Sequence, residues 1–212
     1  MKAFIFDMDG VIIDSEPIHS RTKMETFRHY GVSFSEAELI HYMGRTSRSL
    51  FEEVLRLNQR EDLVVDEVIA YKHKLYLDIL RHDMAIQPIA GIAELMQRLR
   101  AAQIPLALAS SSGRAVIEAV LQKFGFADYF QSVLSGADLP KSKPDPAVYL
   151  LSAQRLGVEP KDCAVLEDAA AGVAAAKAAG MYCIAYRNPN SGNQDLSRAD
   201  EVIAKIEEIR VY

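Results

Sequence analysis

The sequence predicts an α/β protein: a Rossmann-like open parallel sheet with helices on both faces and an inserted all-helical cap. Short apolar runs alternate along the chain with amphipathic helical patterns. These runs are apolar throughout, which is typical of parallel strands buried on both faces. One long stretch, by contrast, contains helical patterns and no convincing strand. We therefore expect a core domain of residues 1–14 and 88–212 and a helical cap domain of residues 15–87.

Five apolar runs are predicted strands, and amphipathic helices are predicted between them. Apolar residues repeat at i, i+3, i+4 and i+7 in the first two core helices, and three of the core helices are followed by a glycine that ends the helix. The strands are predicted at Ala3–Phe6, 105–109, 132–134, 164–166 and Tyr182–Tyr186, and the core helices at 92–99, 117–124, Ala147–Leu156 and 170–179. In the cap domain we expect helices at 18–30, 36–43, 49–57 and 66–80.

Composition limits the classes of partner. The 212 residues are 50% hydrophobic and carry a net charge of −5, which does not favour nucleic acid or a membrane surface as a partner. No apolar stretch approaches the roughly 18 residues needed to span a bilayer. Cys163 and Cys183 lie in apolar runs and are expected to be reduced core residues. We expect a cytoplasmic monomer.

Polar residues follow the predicted strands where each strand ends. The carboxyl ends of parallel strands meet at one edge of the sheet, so side chains that are distant in sequence should converge there. The residues at these positions are Asp7 with Asp9, Ser110 with Ser111, Lys143, and Glu167 with Asp168.

The charges of this predicted cluster require a cation. Asp7, Asp9 and Asp168 would place three carboxylates together, which raises their pKa values unless a positive charge is present. Oxygen ligands without histidine or cysteine favour a hard ion, and Mg²⁺ fits best. The serine turn before Gly113 can hold a phosphate, and Lys143 adds a positive charge. Taken singly, each feature is most simply a turn, a helix cap or a surface charge; their shared position at strand ends favours a phosphoryl-transfer site.

Four segments together resemble the motifs of the haloacid dehalogenase superfamily, and within it the β-phosphoglucomutase-like phosphatases. The resemblance covers essentially the whole chain and implies a parallel-sheet core with a mobile helical cap. The segments are residues 6–12 (FDMDGVI), 109–112 (ASSS), 143–146 (KPDP) and 167–172 (EDAAAG).

The resemblance implies a role for each core residue. Asp7 would attack phosphorus, and Asp9 would protonate the leaving alkoxide and then activate water. Ser110, Ser111 and Lys143 would bind the transferring phosphoryl group. The superfamily's dehalogenases and phosphonate-cleaving members lack an acid at the position of Asp9, so its presence favours phosphate esters.

The resemblance also implies a Mg²⁺ site. Asp7, the backbone carbonyl of Asp9, and Asp168 would bind the ion, with Glu167 nearby. Ala169 departs from the family pattern, because many relatives carry serine there. This departure weakens a secondary hydrogen bond in the metal region.

Residues of the predicted cap are candidates for substrate binding. Gly44, Arg45 and Arg48 lie in a segment that resembles the substrate loop of the cap, where an arginine would clamp a second phosphate or a sugar hydroxyl. His19 and Lys72 fall at or near positions where β-phosphoglucomutases carry a cap histidine and lysine. Each of these residues also has an ordinary explanation as a solvated or structural side chain.

These observations lead to one preferred function and two alternatives. The preferred function is a Mg²⁺-dependent phosphatase of small phosphorylated metabolites, above all sugar phosphates, working through an aspartyl-phosphate on Asp7. The first alternative is a hexose-phosphate mutase of the β-phosphoglucomutase type, which would use the same nucleophile. The second is a binding module without catalysis, which would be expected to have lost at least one catalytic group.

Overall fold

The chain folds into two compact units. The computed structural model describes residues 1–42 and 46–211. We call Met1–Ser15 with Met84–Tyr212 the core unit and Glu16–Asp83 the helical unit.

In the described residues of the helical unit, the regular structure is helical. Its helices are α1 (Glu16–His29), α2 (Glu36–Leu39), a 3₁₀ turn at Ile40–Tyr42, α3 (Ser47–Leu57) and α4 (Val65–His82). Both α1 and α3 pack against α4. The apolar faces meet in a buried cluster that includes Phe27, Phe51 and Val68, so the unit has a hydrophobic core of its own.

The core unit contains a six-stranded sheet in which every pairing is parallel. The strands are β1 (Ala3–Phe6), β2 (Leu106–Ser110), β3 (Phe130–Ser135), β4 (Cys163–Glu167), β5 (Tyr182–Tyr186) and β6 (Glu201–Ile203), in the spatial order β3-β2-β1-β4-β5-β6. This order is that of Rossmann-like folds and confirms the predicted fold class. Strand β6 was not predicted from the sequence, because it has three residues and only Ile203 among them is buried.

Helices of the core unit connect and cover the strands. They are α5 (Ile92–Ala101), α6 (Arg114–Phe124), α7 (Ala147–Leu156) and α8 (Ala170–Ala178). Ala3 and Ile5 of β1 lie in one buried cluster with residues of α7 and α8, such as Tyr149 and Val173. Because side chains alternate along a strand, the fully buried Phe4 and Phe6 point to the opposite face. Strand β1 is therefore covered on both faces.

The sheet topology brings the ends of β1 and β4 together. The register pairs Phe6 of β1 with Leu108 of β2 on one side and with Leu166 of β4 on the other. The order of the strands reverses between β1 and β4, and ligands of open α/β sheets bind in the crevice beyond such a point. The loops after β1, β2 and β4 are thus adjacent although they are far apart in sequence.

No helix in the described ranges combines the length and the apolarity that crossing a bilayer requires.

A pair of leucine substitutions tests the packing of the sheet. Leu108 in β2 is fully buried, whereas Leu150 in α7 is 41% exposed. Leu108→Ala should lower the free energy of unfolding by about 2–5 kcal/mol because it leaves a cavity in the core. Leu150→Ala should change it by less than about 1 kcal/mol. Urea denaturation measures both, and equal losses would contradict the described packing.

Candidate active site

Asp7 is the first residue after β1 and is held by the backbone of the neighbouring strand. Its amide donates a hydrogen bond to the carbonyl of Leu166 at 2.9 Å, which extends the pairing of β1 with β4. The residue is only 6% exposed. Burial raises the pKa of Asp7 well above its usual value; Lys143 opposes this shift, and the nearby carboxylates of Glu167, Asp168 and Asp9 add to it.

Lys143 links the carboxylates that follow β1 and end β4. Its Nζ donates to Asp7 Oδ1 at 2.6 Å, to Glu167 Oε1 at 2.7 Å and to the carbonyl of Ala109 at 3.0 Å. Burial by itself lowers the pKa of Lys143, but the two carboxylates outweigh it and hold the pKa above its usual value. The side chain is therefore a fixed positive charge.

Glu167 has partners on both carboxylate oxygens. Oε1 accepts from Lys143 and also from the hydroxyl of Tyr149 at 2.6 Å. Oε2 accepts from the backbone amides of Asp168 at 3.0 Å and Ala169 at 3.2 Å. A side chain at Gly172 would place its Cβ 1.7 Å from Oε1, so this position of α8 must remain glycine for Glu167 to keep its place. Sequence reasoning missed Tyr149, since a tyrosine on an apolar helix face looks like an ordinary core residue.

Two serine hydroxyls hold the carboxylate of Asp9. Ser112 Oγ donates to Asp9 Oδ2 at 2.7 Å, and Ser110 Oγ donates to the same oxygen at 3.3 Å. The amide of Ser112 in turn donates to Ser110 Oγ at 3.0 Å. The other oxygen, Asp9 Oδ1, is buried and has no hydrogen-bond partner among the described residues. Ser111, in contrast, is exposed to solvent.

Three buried carboxylates form a group that fits a metal ion. Asp7, Glu167 and Asp168 each offer an oxygen, and these oxygens lie within 4.8 Å of one another. Burial, together with the charge of Glu167, raises the pKa of Asp168 to about 7. With Asp9, the site holds four carboxylates and one lysine, so it carries excess negative charge. An all-oxygen donor set with this charge suits a hard divalent cation.

Candidate residues of the helical unit form two separate groups. His19 Nδ1 lies 3.1 Å from Lys72 Nζ, and the His19 ring stacks on Tyr76 at 4.5 Å between centroids. Burial, followed by the charge of Lys72, lowers the pKa of His19 to about 3. Arg48 forms ion pairs with Asp66 and, at 3.5 Å, with Glu52. The predicted substrate-loop residues Gly44 and Arg45 lie outside the described residues.

Fold and site together define a Rossmann-like α/β enzyme with an acidic, lysine-bridged centre at the switch point of its sheet. The model of the haloacid dehalogenase-like hydrolases matches residues 4–186, and the chain belongs to this family. This membership confirms the resemblance found in the sequence.

Two curated relatives and one solved structure illustrate the similarity. The chain is 33% identical over 183 residues to the fructose-1-phosphate phosphatase YqaB of Escherichia coli, covering 86% of this chain and 95% of the relative. It is 30% identical over 214 residues to the phosphorylated carbohydrates phosphatase of Thermotoga maritima, covering 99% and 96%. The crystal structure of a CbbY mutant from Rhodobacter sphaeroides in complex with xylulose-(1,5)-bisphosphate superposes with a TM-score of 0.82 at 26% identity, covering 98% and 96%. The family and these phosphatase relatives confirm the predicted enzyme class, a phosphoric monoester hydrolase.

Removing the charge of Asp168 should stabilise the metal-free protein at alkaline pH. The folded-state pKa of about 7 lies above the ordinary 3.8, so folding is favoured while Asp168 is protonated. The stability that depends on this proton is present below about pH 4 and is lost as the pH rises through about 7. In EDTA at pH 8, Asp168→Asn should therefore raise the free energy of unfolding by about 1–3 kcal/mol.

Denaturation curves at pH 4, 6 and 8 measure this effect. Asp128→Asn is the matched control, because Asp128 is exposed. A metal-free Asp168→Asn variant that is less stable than the wild type at pH 8 would contradict the electrostatic description of the site.

Proposed function

We propose that this enzyme is a Mg²⁺-dependent phosphatase of small phosphorylated metabolites, above all sugar phosphates, and that it works through an aspartyl-phosphate on Asp7. The observation that carries the proposal is the contact of 2.6 Å between Lys143 Nζ and Asp7 Oδ1 in a buried site. A carboxylate that attacks a phosphate must approach a group of its own charge. A fixed ammonium beside it lowers that repulsion.

Asp7 is the proposed nucleophile. One of its oxygens bonds to phosphorus as the bond from phosphorus to the alkoxide oxygen breaks, which leaves an acyl-phosphate on Asp7. Lys143 stays protonated throughout and balances charge on the phosphoryl group. Ser110, at the end of β2, and Ser111, in the turn that follows, are proposed to donate hydrogen bonds to that group.

Asp9 is the proposed acid and base. Its Oδ2 is held by two serine hydroxyls, which leaves the buried and unpaired Oδ1 available for a proton. In the first step a proton on Asp9 passes to the leaving alkoxide. In the second step the carboxylate takes a proton from the water that attacks phosphorus, which frees phosphate and restores Asp7.

The donor set fits Mg²⁺, and we propose that Asp7, Asp168 and the backbone carbonyl of Asp9 hold it. When bound, Mg²⁺ would neutralise charge on the carboxylates and on the phosphate oxygens. Glu167 already shares both oxygens with Lys143, Tyr149 and two backbone amides. We therefore assign Glu167 a supporting role beside the ion.

Substrate selection is assigned to the helical segment. We propose that residues 15–87 form a cap domain and that residues 1–14 and 88–212 form the core domain. Substrate contacts are proposed for His19, Gly44, Arg45, Arg48 and Lys72. The names of the YqaB and Thermotoga maritima relatives support phosphorylated carbohydrates as the substrate class. We further propose that the enzyme acts as a monomer in the cytoplasm.

Replacing the nucleophile should abolish turnover. Asp7→Asn should reduce phosphate release from a panel of sugar phosphates by at least about a thousandfold, because the amide cannot form the acyl-phosphate. EDTA should abolish phosphate release by the wild type in the same assay, and added Mg²⁺ should restore this release. Asp128→Asn serves as the control. Substantial phosphate release by Asp7→Asn would contradict the mechanism. If the wild type instead converts glucose 1-phosphate mainly into glucose 6-phosphate, the enzyme is a mutase.

Substitutions of two neighbouring lysines distinguish the effect of a buried charge from the effect of a surface charge. Lys143 is 7% exposed at its side chain, whereas Lys141 is 77% exposed and 3.9 Å from Asp145. Lys143→Met should lower kcat/KM by at least about a hundredfold and the free energy of unfolding by about 3–5 kcal/mol, because buried carboxylates lose their partner. Lys141→Met should leave both unchanged within error. Similar effects of the two substitutions on kcat/KM would argue against a role for Lys143 in the site.

A further inference from the structure

Helix α8 begins beside the site without a capping side chain of its own. Its N-cap residue is Ala169, whose methyl group cannot accept a hydrogen bond. The loop that follows β5 supplies the missing acceptor. Gln194 Oε1 accepts from the amide of Ala170 at 3.1 Å, and Gln194 Nε2 donates to the carbonyl of Ser191 at 3.0 Å. We call residues 188–194 the post-β5 loop.

The same loop contacts the carboxylate of Asp168. Ser191 Oγ donates a hydrogen bond to Asp168 Oδ2. Gly10 completes this contact, since a Cβ there would lie 1.9 Å from Asp168 Oδ2 and 3.0 Å from Ser191 Oγ. Gly10 also has a φ of +73°, which glycine adopts without strain. The absence of a side chain at Gly10 thus makes room for the pair of Ser191 and Asp168.

The post-β5 loop also forms hydrogen bonds to the segment after β1. Asn188 is 6% exposed, and its Nδ2 donates to the carbonyl of Gly10 at 3.0 Å. Asn188 Oδ1 accepts from the amide of Asn190 at 2.8 Å, and Asn190 Nδ2 donates to Asp14 Oδ2 at 2.5 Å. One loop therefore joins the segments that carry Asp9 and Asp168.

We infer that the post-β5 loop fixes the metal-binding carboxylate of Asp168 and that Ser191 is its positioning residue. This inference rests on the proposed function, which takes Asp168 as a ligand of Mg²⁺. A carboxylate that gives one oxygen to a serine hydroxyl is restricted in rotation and keeps its second oxygen for a cation. Hydrogen bonds of this kind orient metal ligands and govern affinity.

Isothermal titration calorimetry with Mg²⁺ tests the inference without relying on turnover. The proteins are the wild type, Ser191→Ala, Ser191→Thr and Ser197→Ala. Threonine keeps a hydroxyl at position 191, and Ser197 is an exposed serine of the same region. Ser191→Ala should weaken Mg²⁺ binding about tenfold. Ser191→Thr and Ser197→Ala should bind within about twofold of the wild type, because both retain a hydroxyl beside Asp168.

A kinetic measurement separates positioning from general damage. With Ser191→Ala, the Mg²⁺ concentration for half-maximal phosphate release should rise by the same factor, while kcat at saturating Mg²⁺ stays near that of the wild type. Unchanged Mg²⁺ affinity in Ser191→Ala, or equal weakening in Ser191→Thr, would overturn the inference alone. A wild-type protein that binds no Mg²⁺ would overturn the cofactor of the proposed function and this inference with it.

Discussion

The ammonium group of Lys143, buried between the carboxylates of Asp7 and Glu167, is the interaction on which the site depends. Parallel pairing of β1 with β4 forces the residues after these strands together. Two carboxylates 4 Å apart repel by about 4 kcal/mol even at an effective dielectric constant of 20. Lys143 meets one carboxylate at 2.6 Å and the other at 2.7 Å, which offsets part of this repulsion. The negative charge that Lys143 leaves uncompensated makes the group of Asp7, Glu167 and Asp168 suited to a cation.

Different local contacts hold each acidic group of the site in place. Glu167 is held by Tyr149 and by the absence of a side chain at Gly172. Asp9 is held by the serine turn after β2, which leaves one oxygen free of hydrogen bonds within the described structure. The acidic groups thus lie at or just beyond the ends of strands β1 and β4, and the closeness of their charges lowers the stability of the fold. Such a cost is common at catalytic centres.

The sequence predicted those features for which a general rule relates a pattern of residues to a place in the fold. Apolar runs located five of the six strands, and the rule that parallel strands share a carboxyl end led us to expect Asp7, Lys143 and Glu167 at one edge of the sheet. Three features were not predicted from the sequence, and each omission has a physical reason. The hydroxyl of Tyr149 is hidden in an apolar helix, and β6 is too short and too exposed to give a pattern. The post-β5 loop has the composition of an ordinary surface turn, so only coordinates reveal that Ser191 contacts Asp168. The roles of His19, Arg48 and Lys72 stay predictions.

Chemical trapping can detect whether a phosphoryl group passes through the side chain of Asp7, as the proposed mechanism requires. The enzyme is quenched in acid during turnover of a sugar phosphate, treated with borohydride and analysed by peptide mass spectrometry. Borohydride reduces an acyl-phosphate of aspartate to homoserine. We expect substrate-dependent conversion of Asp7 to homoserine, and no conversion of any other aspartate. Sustained turnover with intact aspartate at position 7, or reduction at a different residue, would contradict the proposed mechanism.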